Sequence, residues 1–158
     1  MNLPIKTVEI KNWLNKDLHQ FLEYTYLYHT PHFYGEHSNN KKFHYYCNLN
    51  EDNLTKYLSY KITKTLKKDL NFTRIYINIQ HPNMPGDFHK DGDADITCLY
   101  MVTGNGNFEI KNEGKYKFEK NKLILFDSQK QHRGLAPSEG IRITLAFKAK
   151  NINNEFIS

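Results

Sequence analysis

The spacing of apolar residues changes character near residue 72 of this 158-residue chain. Ahead of that point it follows the helical repeat. Over 15–28, Leu18, Phe21, Leu22, Tyr24, Thr25 and Tyr28 recur at three- and four-residue steps, with Asn15 placed to cap the start and Pro31 to stop the helix. Over 52–70, Leu54, Leu58, Ile62, Leu66 and Leu70 fall on one stripe, which predicts an amphipathic helix. The stretch between them, 29–50, is polar, aromatic and histidine-rich, and reads as a long loop or as short strands.

Beyond residue 72 the period drops to two. Segment 74–80 (Arg-Ile-Tyr-Ile-Asn-Ile-Gln) alternates polar and apolar throughout, and 142–148 does the same if the small Ala146 joins the polar face. Segments 96–102, 107–111, 115–119 and 122–126 are also strand-like. Turn signals separate them: Pro82 with Pro85-Gly86, Gly104-Asn105-Gly106, Asn112-Glu113-Gly114, and Pro137 with Gly140. Many short strands joined by tight turns predict a β-sandwich or barrel. The expected organisation is one domain: a mostly helical support over 1–72, a β core over 73–150, and a frayed tail over 151–158.

In this scheme the helices cover one sheet face through Ile75, Ile77, Leu145 and Phe147. The opposite face then carries Tyr76, Asn78, Gln80, Arg142 and Thr144. If these polar side chains point inward, the barrel holds a polar ligand. If they point outward, they are solvated surface. Alternation does not choose between the two.

Composition narrows the class. With 39% hydrophobic and 25% charged residues the chain reads as an ordinary globular protein, and 14% aromatics can fill a core or line a cleft. The net charge of +5 comes from scattered lysines, which is the pattern of a solvated surface; a nucleic-acid partner is allowed by it but not supported. The two cysteines, Cys47 and Cys98, make no disulfide framework, so a reducing, cytoplasmic setting is expected. The N-terminus lacks the apolar stretch of a signal peptide, and no apolar run is long enough to span a membrane.

Candidate chemistry begins at His89-Lys90-Asp91, just ahead of strand-like 96–102. Residues two apart in extended chain point the same way, so an imidazole and a carboxylate there can share one metal. A further histidine from a distant strand would complete a facial triad of two His and one carboxylate, a set suited to non-haem Fe(II). His132 follows strand-like 122–126 and a short turn, and Arg142 opens the last strand 10 residues later, with Thr144 on its face. His-x-Asp alone is short enough to arise by chance, so its context carries the argument.

That context resembles the 2-oxoglutarate/Fe(II)-dependent oxygenases, and among them the prolyl 4-hydroxylase-like group. The matching text is Phe88-His89-Lys90-Asp91, Thr97-Cys98-Leu99-Tyr100, Leu125-Phe126-Asp127-Ser128, His132-Arg133-Gly134 and Arg142-Ile143-Thr144-Leu145-Ala146-Phe147. The resemblance spans about residues 74–148. It implies a double-stranded β-helix (jelly roll) flanked by helices, mainly β with N-terminal helices. It also implies iron ligands His89, Asp91 and His132, which are the catalytic set. Arg142 would pair with the distal carboxylate of 2-oxoglutarate and Thr144 would add a hydroxyl contact. Tyr100 falls within one residue of a co-substrate-binding tyrosine, Met101 being the neighbour, and Tyr76, Asn78 and Gln80 are further candidates on the facing strand. The activity implied is hydroxylation of a substrate C–H, most directly a prolyl residue in a peptide or free proline. It uses Fe(II), 2-oxoglutarate and dioxygen, with ascorbate as an optional reductant. The chain lacks the second Arg and Asn pattern that marks the nucleic-acid demethylases of this superfamily, so that activity is not assigned, while the basic surface keeps an oxygenase acting on a nucleotide or nucleic acid as an alternative.

Other readings fare less well. Asp91-Gly92-Asp93-Ala94-Asp95 invites calcium, but the positions that an EF-hand loop gives to Gly and Glu hold Ile96 and Val102, so Asp93 and Asp95 are expected as turn acceptors. His29, His32, His37 and His44 have no Cys partner at zinc spacing and read as loop histidines, unless 32–46 forms part of a lid over the iron. Gly104-Asn105-Gly106 lacks the third glycine of a dinucleotide loop. A non-catalytic jelly-roll binding module is the alternative of another class, and intact ligands argue against it. A cupin-like enzyme would want His-x-His with a downstream Glu.

Overall fold

The computed structural model describes residues 5–38 and 42–152, and for 36–38, 42 and 43 the backbone alone. The chain runs β1 (Val8–Ile10), α1 (Lys16–Tyr28), β2 (Phe33–Ser38), β3 (Lys42–Asn48), α2 (Asn53–Leu66), β4 (Leu70–Gln80), β5 (Ile96–Thr103), β6 (Asn107–Ile110), β7 (Gly114–Lys117), β8 (Lys122–Asp127), β9 (His132–Gly134) and β10 (Arg142–Asn151). Both helices begin where an acceptor side chain meets a free backbone N–H. Asn15 Oδ1 accepts from Leu18 N at 2.9 Å, and Asp52 Oδ2 accepts from Thr55 N at 2.8 Å.

Two expectations for the first 72 residues need correction. The helix expected over 52–70 stops at Leu66 because Lys67 turns left-handed, with φ 52°. Leu70 opens β4 instead. The stretch 29–50 takes the short-strand alternative, with β2 and β3 paired antiparallel, so this region is not chiefly helical. The tail expected over 151–158 is ordered as far as Ile152: Asn151 N donates to Asp95 Oδ2 at 3.0 Å and Ile152 N to Asp69 O at 3.0 Å. The rest of that tail lies outside the described residues.

The strands form a seven-stranded sheet in the order β1-β8-β5-β10-β4-β3-β2 and a three-stranded sheet in the order β7-β6-β9. Every pairing is antiparallel. Alternation in β4 and β10 divides the large sheet as its residues demand. Ile75, Ile77, Leu145 and Phe147 pack on one face with Leu22 and Tyr26 of α1 and Leu58 and Ile62 of α2. Tyr76 and Ala146 turn to the other face, where Leu99, Met101, Ile124 and Phe126 meet Phe108 and Ile110 of the small sheet. The result is a double-stranded β-helix, mainly β, with helices against one face and a cavity between the two sheets.

A buried polar knot docks the helical layer. Tyr100 Oη donates to Asn121 Oδ1 at 3.1 Å and lies 2.6 Å from His19 Nδ1, while Asn121 also bonds both the N–H and the carbonyl of Leu14. Trp13 meets the Tyr100 ring edge-on at 5.4 Å. Cys47 and Cys98 are both buried and unpaired, and burial pushes the Cys98 thiol up to about 12. Among the described residues no helix is long and apolar enough to cross a membrane.

Leu58 is fully buried where α2 meets the sheet. Its truncation, Leu58→Ala, is expected to cost about 2–5 kcal/mol of stability, read by urea denaturation. An unchanged midpoint would contradict this packing.

Candidate active site

One antiparallel bridge builds the centre of the cavity. His89 N donates to His132 O at 3.0 Å and His132 N to His89 O at 2.9 Å, which sets the two imidazoles side by side with ring centroids 4.5 Å apart. Asp91 N donates to Ser128 O at 3.0 Å, so the carboxylate two residues beyond His89 is drawn in beside them. Ligand atoms of His89, Asp91 and His132 all lie within 4.8 Å of one another.

The hydrogen bonds around these rings settle which nitrogen is free. His89 Nδ1 lies 2.8 Å from Asp87 O and His132 Nδ1 lies 2.8 Å from Lys130 O. A carbonyl only accepts, so each Nδ1 carries a hydrogen, and a ring in its neutral form turns the lone pair of Nε2 inward. Burial lowers the pKa of His89, outweighing the Asp87 carbonyl that favours its charged form, and so keeps that ring in the form that binds metal. His132 is gripped by the edge of Phe126 at 4.6 Å.

These lone pairs face a carboxylate. His132 Nε2 is 3.3 Å from Asp91 Oδ2, and His89 Nε2 is 3.7 Å from Asp91 Oδ1. Acceptors this close repel unless a cation lies between them. A shared proton answers one pair; a metal ion answers all three groups at once. The donor set of two imidazoles and one carboxylate therefore fits a divalent transition metal. Thr97 Oγ1 donates to Asp91 Oδ2 at 2.5 Å and orients it. Lys148 Nζ lies 2.6 Å from Oδ1 and forms an ion pair with it. Burial alone would raise the Asp91 carboxyl, but positive charge beside it, from His132 whenever that ring is protonated and from the Lys148 ammonium, holds it below the ordinary carboxylate range.

At another wall of the same cavity stands Arg142, only 2% exposed. Its Nη2 donates to Gln80 Oε1 and its Nη1 to Asn107 O, while Nε has no partner. Among the described residues no carboxylate pairs with it. Burial lowers its pKa to about 10, so it remains a cation at neutral pH. A buried guanidinium with no protein counter-ion, lining a cavity, is a receptor for an anion, and its planar fork favours a carboxylate.

Of the residues expected at the site, His89, Asp91, His132, Arg142, Thr144, Tyr76, Asn78 and Gln80 line this cavity together. The inward alternative for the polar face of β4 and β10 is the one realised. Tyr100 is elsewhere: it is fully buried on the helical side, in the knot with His19 and Asn121, and Met101 takes the place at the cavity. The cause is a register irregularity in the β10–β5 pairing between Ile143 and Thr144, after which Thr144 faces Met101 and Leu145 faces Tyr100. The lysine at Asp91 was not foreseen, nor were Phe108, Phe118 and Gly134 in the lining; His44, from the 32–46 stretch considered as a lid, also lines it. His44 Nε2 lies 2.8 Å from Asn78 Oδ1, while the side chain of His37 lies outside the described residues. Gly134 has a definite reason: a Cβ there would sit 2.6 Å from Arg142 Nη2 and 3.1 Å from Gln80 Oε1. Asp93 pairs with exposed Lys150 at 3.0 Å and takes no part.

No protein-family model and no curated protein sequence matches the chain. Solved structures do match in fold. The viral collagen prolyl hydroxylase of Paramecium bursaria Chlorella virus-1, solved with 2-oxoglutarate, superposes at TM-score 0.69 and 16% identity, covering 92% of this chain and 96% of that one. A prolyl hydroxylase of Trichoplax adhaerens, solved with a hypoxia-inducible-factor peptide fragment, gives TM-score 0.72 and 14% identity over 94% and 84%. HygX of Streptomyces hygroscopicus, solved with nickel and 2-oxoglutarate, gives 0.72 and 8% over 95% and 84%. The chain has the prolyl hydroxylase-like double-stranded β-helix fold of the 2-oxoglutarate/Fe(II) oxygenases.

Two substitutions separate the cavity from the knot behind it. Gly134→Ala is expected to displace the Arg142 guanidinium and weaken binding of a carboxylate ligand in the cavity about tenfold or more, since one added methyl in a filled site costs about 1–3 kcal/mol. Tyr100→Phe should leave that affinity unchanged and cost about 1 kcal/mol of stability. Calorimetry and urea denaturation read the two effects, and the reverse assignment would contradict the placement of Tyr100.

Proposed function

We propose that the chain is a 2-oxoglutarate- and Fe(II)-dependent dioxygenase that hydroxylates a substrate C–H. The observation that carries this reading is the pairing, in one cavity, of three converging lone-pair donors with a buried guanidinium that lacks a counter-ion. A metal alone would account for the first and an anion for the second. A chelating dicarboxylate accounts for both together.

In this reading His89, Asp91 and His132 hold Fe(II). When bound, the metal and 2-oxoglutarate supply dioxygen activation and hydroxylation, with succinate and carbon dioxide as co-products and ascorbate as a supporting reductant. The chain's own residues orient and shield. The Asp87 and Lys130 carbonyls keep the imidazoles in the ligating tautomer. Thr97 fixes the rotation of Asp91. Arg142 takes the distal carboxylate of 2-oxoglutarate, and Thr144, 9% exposed on the same face of β10, adds its hydroxyl. Leu99, Met101, Phe108 and Phe118 exclude water from the cavity, which strengthens the guanidinium–carboxylate pair. Tyr76, Asn78 and His44 complete the lining available to a substrate.

The substrate we favour is a prolyl residue in a peptide, or free proline. Support comes from fold likeness to two prolyl hydroxylases, one of them solved with a peptide. Fold by itself does not fix chemistry, so the substrate needs its own assay. The unpaired, buried cysteines support a reducing, cytoplasmic setting.

Succinate formation from 2-oxoglutarate, with Fe(II) and ascorbate, tests the activity. Wild type is expected to turn over, and a prolyl peptide or free proline to raise the rate, with His132→Ala falling to background. Equal succinate from both proteins would remove the iron assignment. Stimulation by an oligonucleotide in place of the proline substrates would reassign the substrate.

A further inference from the structure

Lys148 is the one feature at the metal cluster that the oxygenase reading does not use. It lies on the cavity-facing side of β10, six residues after Arg142 and in line with Thr144 and Ala146. The β10–β4 ladder shifts register directly after it, between Lys148 and Ala149, an irregularity of the kind that re-aims a side chain. Its side chain is 14% exposed and its Nζ stands 2.6 Å from Asp91 Oδ1 and 5.3 Å from the centre of the Tyr76 ring. Arg74 lies over the same ring at 4.2 Å, so a second cation shares Tyr76 with Lys148, and Asp91 is the acidic partner that Lys148 has here.

We propose that Lys148 is a built-in counter-ion of Asp91 that competes with the metal ion for this carboxylate and thereby limits the affinity of the site. The proposal rests on the metal reading of His89, Asp91 and His132. Its physical content is a conflict of charge. Asp91 is 2% exposed in its side chain, and a carboxylate so buried needs a cation. Thr97 serves Oδ2 with a neutral hydroxyl, which leaves Oδ1 as the atom that faces the cation. Lys148 supplies it whether or not a metal is bound. A divalent ion joining the same carboxylate then meets an ammonium a few ångströms away, in a setting that screens the repulsion poorly. Lys148 thus keeps the stripped site folded and makes metal uptake weaker than the three ligands alone would set it.

The sign distinguishes this from mere positioning. If Lys148 only aimed Asp91 at the metal, removing it would weaken metal binding. If it competes, removal tightens binding and makes stability depend more on the metal. The test titrates Co(II) into the chelator-stripped full chain, follows the visible Co(II) absorption, and records thermal unfolding with and without Co(II). Lys148→Met is expected to bind Co(II) about tenfold tighter or more, because an ammonium next to a divalent ion is removed. It should also show a lower unfolding temperature without Co(II) and a larger rise with it. Lys148→Arg, which keeps the charge, should bind as wild type does. If Lys148→Met does not fold even with Co(II), Lys148→Gln, which keeps a donor but no charge, decides by the same criterion of tighter binding. Equal or weaker Co(II) binding by the neutral variants overturns the proposal while leaving the metal site standing. Wild type that binds Co(II) no better than His132→Ala removes the metal reading, and the proposal with it.

Discussion

Three groups that carry lone pairs, held within 4.8 Å of one another inside a protein, repel unless something positive joins them. The rest of the site follows from that constraint. The His89–His132 bridge forces the two imidazoles together, and each ring's outward nitrogen is occupied by a backbone carbonyl. The inward nitrogens therefore have no protein donor to turn to. Asp91, drawn in by Ser128, adds a negative charge to the same place. Folding energy from the surrounding sheets holds an arrangement that a small cation would stabilise, as preorganisation of a metal site requires.

The fold meets this demand by giving one pair of strands two jobs. Alternate residues of β4 and β10 are apolar toward the helices and polar toward the cavity. The apolar set supplies the burial that keeps the sheet in place. The polar set includes two cations on one strand: Arg142 near its start and Lys148 six residues on, separated by roughly 20 Å of extended chain. Arg142 lacks an acidic partner among the described residues, whereas Lys148 has Asp91. That asymmetry leaves Arg142 open to an anion from outside, whereas Lys148 serves a carboxylate of the protein itself. Three glycines surround Arg142. At Gly104 a Cβ would meet Arg142 Cα at 2.6 Å, at Gly106 it would meet Nη1 at 3.2 Å, and at Gly134 it would meet Nη2 at 2.6 Å. The guanidinium occupies its pocket because no side chain shares the space.

Much of this was legible in the sequence because it depends on period. The four-residue stripe of Leu54, Leu58 and Ile62 and the alternation of Arg74 through Gln80 each follow from one buried face. His89, Asp91, His132 and Arg142 were visible because their order and spacing match a family pattern. What escaped depends on parity and contact. β5 is buried along its whole length, so no polar face marks which residues look into the cavity, and Tyr100 and Met101 were interchangeable on paper. The irregularity that settles them lies in the neighbouring strand pairing. β9 has only three residues, too few for any alternation to register. Lys148 read as one more polar position at the end of a strand, because its significance comes from Asp91, which is distant in sequence and adjacent only in space.

The most direct measurement is anomalous diffraction from crystals grown with Mn(II) and 2-oxoglutarate under conditions that exclude turnover. One strong peak is expected, bonded to His89 Nε2, His132 Nε2 and an Asp91 oxygen at about 2.0–2.3 Å. The far carboxylate of 2-oxoglutarate is expected on the Arg142 guanidinium. A peak away from those three side chains, or a co-substrate that leaves Arg142 untouched, would contradict it.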